Sequence, residues 1–124
     1  MTQEEKELLM KDLCARLPYG VKGRYNNTVF SLRMIDPFDN YHPLYCVTES
    51  GSEYIGIEEF KPYLFPLSSM TEEQKEEFDR LYTYDALIIE PQWELIDWLN
   101  KNHFDYRGLI KKGLAIDATN KNIY

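Results

Sequence analysis

The stretch VKGRYNNTVFSLRMIDPFDNYHPLYCVTESGSEYIGI, residues 21–57, decides the fold class. Its apolar side chains come in short groups: Tyr25, then Val29, Phe30, Leu32 and Met34, then Leu44, Tyr45 and Val47, then Tyr54, Ile55 and Ile57. Between the groups stand turn formers: Asn26-Asn27, the segment from Asp36-Pro37 to Pro43, and Glu49 to Ser52 around Gly51. Alternation from Phe30 to Met34 is the period of a half-buried strand, whereas Leu44 to Val47 is apolar on both faces and reads as a more central one. Connections this short suit antiparallel neighbours and leave no room for the crossover helices of parallel pairing. Three or four strands in a meander are expected here.

Working outward, MTQEEKELLMKDLCARLPYG signals a helix. Thr2 and Glu5 form a capping box, Leu9, Met10, Leu13, Cys14 and Leu17 supply a buried face, and Glu4, Lys11 and Asp12 lie on the wet side. Pro18 and Gly20 end it. After the strands, Glu58 to Ser69 carries Pro62 and Pro66 among bulky groups, which predicts an extended segment along the core. Thr71 and Gln74 open a second helix, with Phe78, Leu81 and Tyr82 facing inward and an end by Tyr84. Ala86 to Glu90 reads as a short strand or a buried irregular segment, and Gln92 to Asn102 as a third helix burying Leu95, Ile96, Trp98 and Leu99. Asp105 can cap a last short helix through Lys112, with Gly113 in the left-handed position after it. The expected fold is α+β: one domain over 1–124, with an antiparallel sheet of three to five strands and the N-terminal and C-terminal helices chiefly on one face.

Composition narrows the function classes. The 124 residues suit one core, and 44% apolar residues in spaced groups argue against disorder and against a membrane span. A net charge of −7 repels phosphate backbones and anionic lipid, so direct nucleic-acid binding is disfavoured and a protein partner is expected. The acidic amphipathic start has none of the features of a secretory signal, which predicts a cytoplasmic protein. Cys14 and Cys46 form no CxxC pair and read as two thiols, Cys14 buried on the first helix.

Three segments, LLMKDLCARLPYG at 8–20, KPYLFPLSSMTEEQKEEF at 61–78 and WLNKNHFDYRGLIKKGLAIDA at 98–118, resemble a family of small uncharacterised proteins from gut Bacteroidales and their phages or prophages. The resemblance covers about half the chain and implies a bacterial or phage-related setting. It supplies no activity, ligand or catalytic residue.

The chain carries no G-x-S-x-G, Walker or G-x-G-x-x-G pattern. His42 and His103 have no metal-ligand spacing, and no metal or cofactor is expected. Asp36-Pro-Phe-Asp39-Asn40 lacks the EF-hand register and reads as a turn. Two surfaces are singled out. Glu72, Glu73, Glu76 and Glu77 are either a solvated helix face or an acidic docking face. His103, Asp105, Tyr106 and Arg107, beside Asn102, gather acid, imidazole, phenol and guanidinium, and read either as an acid/base site or as the cap and braces of the terminal segment. The leading expectation is a non-enzymatic interaction or accessory protein with tyrosine anchors such as Tyr19, Tyr41, Tyr63 and Tyr124. A phage-related inhibitor using its acidic face and a small enzyme using His103 to Arg107 are the alternatives.

Overall fold

The computed structural model describes residues 1–87 and 94–124, of which 84–87 are described by backbone alone. Helix α1 (Gln3–Arg16) opens on the expected capping box: Glu5 N–H donates to Thr2 Oγ1 at 3.1 Å, and Thr2 N–H donates to Glu5 Oε1 at 2.8 Å. A 3-10 turn (Leu17–Tyr19) and Gly20, at φ 87°, stop it where Pro18 and Gly20 predict. The meander follows as β1 (Val21–Tyr25), β2 (Thr28–Ile35), β3 (Leu44–Thr48) and β4 (Gly51–Ile55), each antiparallel to the one before. Asn26 and Asn27 both take positive φ, the requirement of the two-residue turn whose twist matches a hairpin.

The rest of the sheet departs from expectation. The proline-rich connector contains a strand, β5 (Lys61–Pro66), antiparallel to β1 through Gly23↔Pro62 and Arg24↔Lys61. Two short strands, β6 (Phe104–Asp105) and β7 (Ile116–Asp117), pair with β5 in parallel. The sheet therefore has seven strands in the order β4-β3-β2-β1-β5-β6, with β7 also on β5, and it is mixed. Parallel pairing is possible because the chain leaves β5, runs through α2 (Glu72–Leu87) and α3 (Glu94–Lys101), and returns, which is the crossover that the meander lacks.

The remaining differences concern helix limits and faces. Helix α2 runs to Leu87, past Tyr84, so Ala86 and Leu87 are helical, while the rest of the Ala86–Glu90 segment lies outside the described residues. Leu81 is buried as expected, but Tyr82 is exposed and stacks on Phe78. In α3, Leu99 is buried together with Asn100, whereas Ile96 is exposed. No helix forms from Asp105 to Lys112; Asp105 ends β6 and the residues after it make bends and turns, ended by Gly113 at φ 76°. On α1 the buried positions are Leu9, Asp12, Leu13 and Arg16. Cys14 is exposed, not buried, and Asp12, assigned above to the wet side, has no exposure at all.

One core joins α1 (Leu9, Leu13), the inner face of the strands (Val21, Phe30, Leu32, Leu44, Cys46, Ile55, Leu64), Phe60, and the terminal segment (Leu109, Leu114, Ala115). Burial of Cys46 pushes its thiol up to about 12, so it behaves as a small apolar group. Helix α2 packs chiefly on α3. The other face of the sheet keeps Met34 and Tyr54 largely exposed, in cross-strand register with Tyr45 between them.

Gly23 shows how closely the core is fitted, since a Cβ there would collide with the ring of Phe60. Gly23→Ala should destabilise the protein by about 1–3 kcal/mol, the usual cost of overpacking. Urea unfolding of Gly23→Ala and of Gly23→Ala/Phe60→Leu checks it, because the smaller residue at 60 should recover part of the loss.

Candidate functional site

The buried polar groups of the chain concentrate where α1 meets the terminal segment. Asp12 Oδ2 accepts from Arg16 Nε at 2.8 Å, one helical turn along, and Asp12 Oδ1 accepts from Arg107 Nε at 3.1 Å. Arg16 Nη2 donates to the Phe104 carbonyl at 2.7 Å, fixing β6 to α1. Both guanidiniums lie 5.0 Å from the ring centroid of Tyr106, whose hydroxyl donates to Asn100 Oδ1 at 2.8 Å. Two arginines share one fully buried carboxylate, and Arg16 is itself without exposure. That arrangement holds only while the carboxylate is present, because an unpaired buried charge costs several kcal/mol.

The four residues expected to gather between 103 and 107 are thereby separated. Asp105 accepts the backbone N–H groups of Leu109 and Ile110, both at 2.9 Å, so its carboxylate organises the following turns. Arg107 is committed to Asp12, and Tyr106 to Asn100 and the two arginines. His103 points to another neighbour, the ring of Tyr124, which it stacks at 3.5 Å between centroids. A His103–Asp105–Arg107 constellation able to act on one reacting atom is not what these partners make.

His103 ends α3 in the left-handed conformation, φ 62°. Its N–H donates to the Asn100 carbonyl, and its own carbonyl accepts from Phe65 N–H at 2.8 Å. Burial, helped by the nearby charges of Arg16 and Lys22, lowers the imidazole to about 4 and keeps it neutral. Tyr124 is held as firmly. Its hydroxyl accepts from Lys22 N–H at 3.0 Å and lies 2.9 Å from the Tyr63 carbonyl, so it ties β1 to β5, and burial pushes the phenol up to about 12. His103 and Tyr124 line a cleft of about 440 Å3 together with the start of α2 and the end of α3.

A second concavity, about 620 Å3, lies between α1, the β2–β3 loop and the loop before β5. Its walls carry Glu7, Asp39, Glu58 and Glu59 against a single cation, Lys6, with Met10, Tyr41 and Ile57 as apolar surface. Lys6 pairs with Glu58 at 2.6 Å. Gly56 lets the Glu59 carboxylate and the Tyr41 carbonyl come close, since a Cβ there would meet them at 2.8 and 3.1 Å. The loop itself is rigidly turned: Asp36 accepts Phe38 N–H, Asp39 accepts the N–H groups of Tyr41 and His42, and Asp36 N–H closes on the Pro43 carbonyl. These are the Asx turns that the sequence suggests. They leave Phe38 91% and Tyr41 80% exposed.

On α2, Glu72 pairs with Lys75 and Glu77 with Arg80, which neutralises half of the acidic face. Glu73 and Glu76 remain exposed without an ion pair among the described residues. Of the expected anchors, Tyr63 is buried, Tyr19 and Tyr124 are partly exposed, and Tyr41 stands out.

No described helix is long and apolar enough to cross a membrane, and no group of three or more histidine, cysteine or acidic side chains arranged to hold a metal occurs among the described residues. No family model, curated protein or solved structure matches the chain.

Two outcomes follow from the buried charges. Asp12→Ala should cost about 3–5 kcal/mol in urea unfolding, because it strands Arg16. Asp12→Leu/Arg16→Met should recover much of that, since it removes the fully buried Arg16 charge and leaves only the partly exposed Arg107 without its carboxylate. For His103 the sign is set by the lowered value. The unfolded chain protonates near 6.5 while the folded one resists until about 4, so stability falls as pH drops through that window and levels off below it. Comparison with His103→Asn, whose side chain tolerates positive φ, should isolate this component from the carboxylates; an NMR titration showing His103 protonating near 6.5 would contradict it.

Proposed function

We propose that the chain is a non-catalytic protein-interaction module that takes a basic segment of a partner at the β2–β3 loop. The observation that carries this reading is the display of Phe38 and Tyr41, two large aromatic side chains almost wholly in solvent on a loop locked by Asp36 and Asp39. The fold gains nothing from them, and their loop has already lost the freedom that binding would otherwise have to remove. Aromatic groups so held are the usual energetic centres of interfaces. The acidic groove beside Tyr41 sets the sign of the partner: four carboxylates and one ammonium favour a lysine or arginine whose stem lies on Met10, Tyr41 and Ile57.

The separation of His103, Asp105 and Arg107 supports the non-catalytic part of this reading, and the resemblance noted above suggests a bacterial or phage-related setting. A second reading, a phage-related inhibitor that covers a basic site on a host protein, draws on Glu73 and Glu76, the two members of the expected acidic face left without a cation among the described residues. It predicts that charge reversal at Glu73 and Glu76 weakens binding and that reversal at Glu77 changes little.

The test uses a lysine-rich peptide titrated into the isotope-labelled protein. Saturable shifts are expected at Asp39, Tyr41 and Glu58, weakening as salt is raised. Phe38→Ser and Tyr41→Ser should each lower affinity by about tenfold or more while leaving the unfolding midpoint in place. Peptide shifts confined to α2 would favour the second reading, and turnover of a substrate by the purified protein would remove the first.

A further inference from the structure

We propose that the cleft beside Tyr124 is a second binding site, separate from the protein-binding face, for an uncharged polyhydroxylated small molecule of the saccharide class. Its volume, about 440 Å3, lies in the range of small-molecule sites and holds one or two sugar rings. It shares no residue with the acidic groove.

The wall chemistry selects the ligand. In a chain with 21 acidic residues, no acidic side chain lines this cleft among the described residues, so none of these side chains recruits a cation. Lys101 is its one charged side chain among the described residues, since His103 is neutral at ordinary pH. Glu72 and Glu73 follow Thr71 directly and, without lining the cleft, add negative charge near it. What remains is a set of neutral donors and acceptors that the fold has half used. Gln74 Oε1 accepts Thr71 N–H at 2.9 Å, leaving its amide hydrogens. Thr71 Oγ1 accepts Gln74 N–H at 3.1 Å, leaving its hydroxyl hydrogen. Asn102 donates its side-chain amide to the Trp98 carbonyl at 2.9 Å, leaving its oxygen. Asn120, at φ 62°, adds its carboxamide to the same lining.

Spare donors and acceptors of both kinds thus line one concavity, three of them held by hydrogen bonds to their own backbone surroundings. A sugar hydroxyl, which donates and accepts at once, satisfies both kinds. Tyr124 supplies the apolar counterpart. Its ring is pinned through its hydroxyl to β1 and β5 and backed by His103, so it presents a rigid surface to the C–H face of a pyranose.

The experiment is a titration of the isotope-labelled full chain with glucose, galactose, N-acetylglucosamine and their β-linked disaccharides, with adenosine and uridine as the comparison arm. Expected are saturable shifts at Gln74, Lys101, Asn102 and Asn120 with at least one saccharide. Two variants spare the fold: Gln74→Glu keeps the oxygen that caps Thr71, and Asn120→Gly keeps the positive φ. Each should weaken the response about tenfold while unfolding in urea as the parent does. No saturable shift with any saccharide, shifts with the nucleosides alone, or saccharide shifts away from these residues would each overturn the proposal. The protein-binding reading stands apart from it, because Phe38→Ser and Tyr41→Ser should leave saccharide binding unchanged.

Discussion

The carboxylate of Asp12 is the group on which the rest of the structure depends. It sits on the core side of α1 with no exposure, and its two oxygens hold one arginine from the same helix and one from the terminal segment, 95 positions away. Through Arg16 it reaches the Phe104 carbonyl and so secures β6; through Arg107 it aligns Tyr106, whose hydroxyl continues the network to Asn100 of α3. Three remote parts of the chain are tied by polar contacts whose geometry admits little slack. Apolar packing at the same place would be at least as stabilising but far less particular about register. In a sheet whose last two strands have two residues each, that particularity is what holds the terminal segment in place.

This network also explains why the 103–107 segment looks chemical in sequence and behaves structurally in the fold. Asp105, Tyr106 and Arg107 are consecutive, yet each turns to a different partner: backbone amides ahead, the α3 amide, and the α1 carboxylate. Proximity along the chain brings reactive groups to one neighbourhood but does not aim them at one point. His103 lines the cleft beside Tyr124, and it does so with an imidazole that burial has made a poor base.

Much of the meander was legible because the signals there are local. Asn26-Asn27 demanded a turn with positive φ, Asp36 and Asp39 demanded Asx turns, and Thr2 with Glu5 demanded a cap; each depends on residues two to four positions apart. What escaped detection depends on partners far along the chain. Strand β5 was hidden by Pro62 and Pro66, which lower strand propensity but are tolerated where their missing N–H groups are not needed by the ladder. Asp12 and Arg16 at i,i+4 were recognisable as a helix pair, and such pairs are usually solvated; only Arg107 and Phe104 reveal that this one faces inward. Once α1 turns that pair to the core, Cys14 must turn away from it.

The division of labour between the two ends of the molecule follows from the same constraint. The terminal half spends its polar side chains on holding itself to α1 and β5, so its surface chemistry is the remainder: neutral amides and hydroxyls around Tyr124, with their spare hydrogen-bonding capacity. The β2–β3 loop spends only Asp36 and Asp39 on its own shape and leaves its aromatic rings and its neighbouring carboxylates for solvent. A surface that is rigid, apolar at its tip and negatively charged at its base is suited to a macromolecular partner, since hot-spot aromatics need a large complementary surface to exclude water around them. A concave site walled by half-satisfied neutral groups suits a molecule small enough to be surrounded. The two surfaces therefore differ in the kind of molecule they can take, and neither depends on the acid/base chemistry that the terminal sequence suggests.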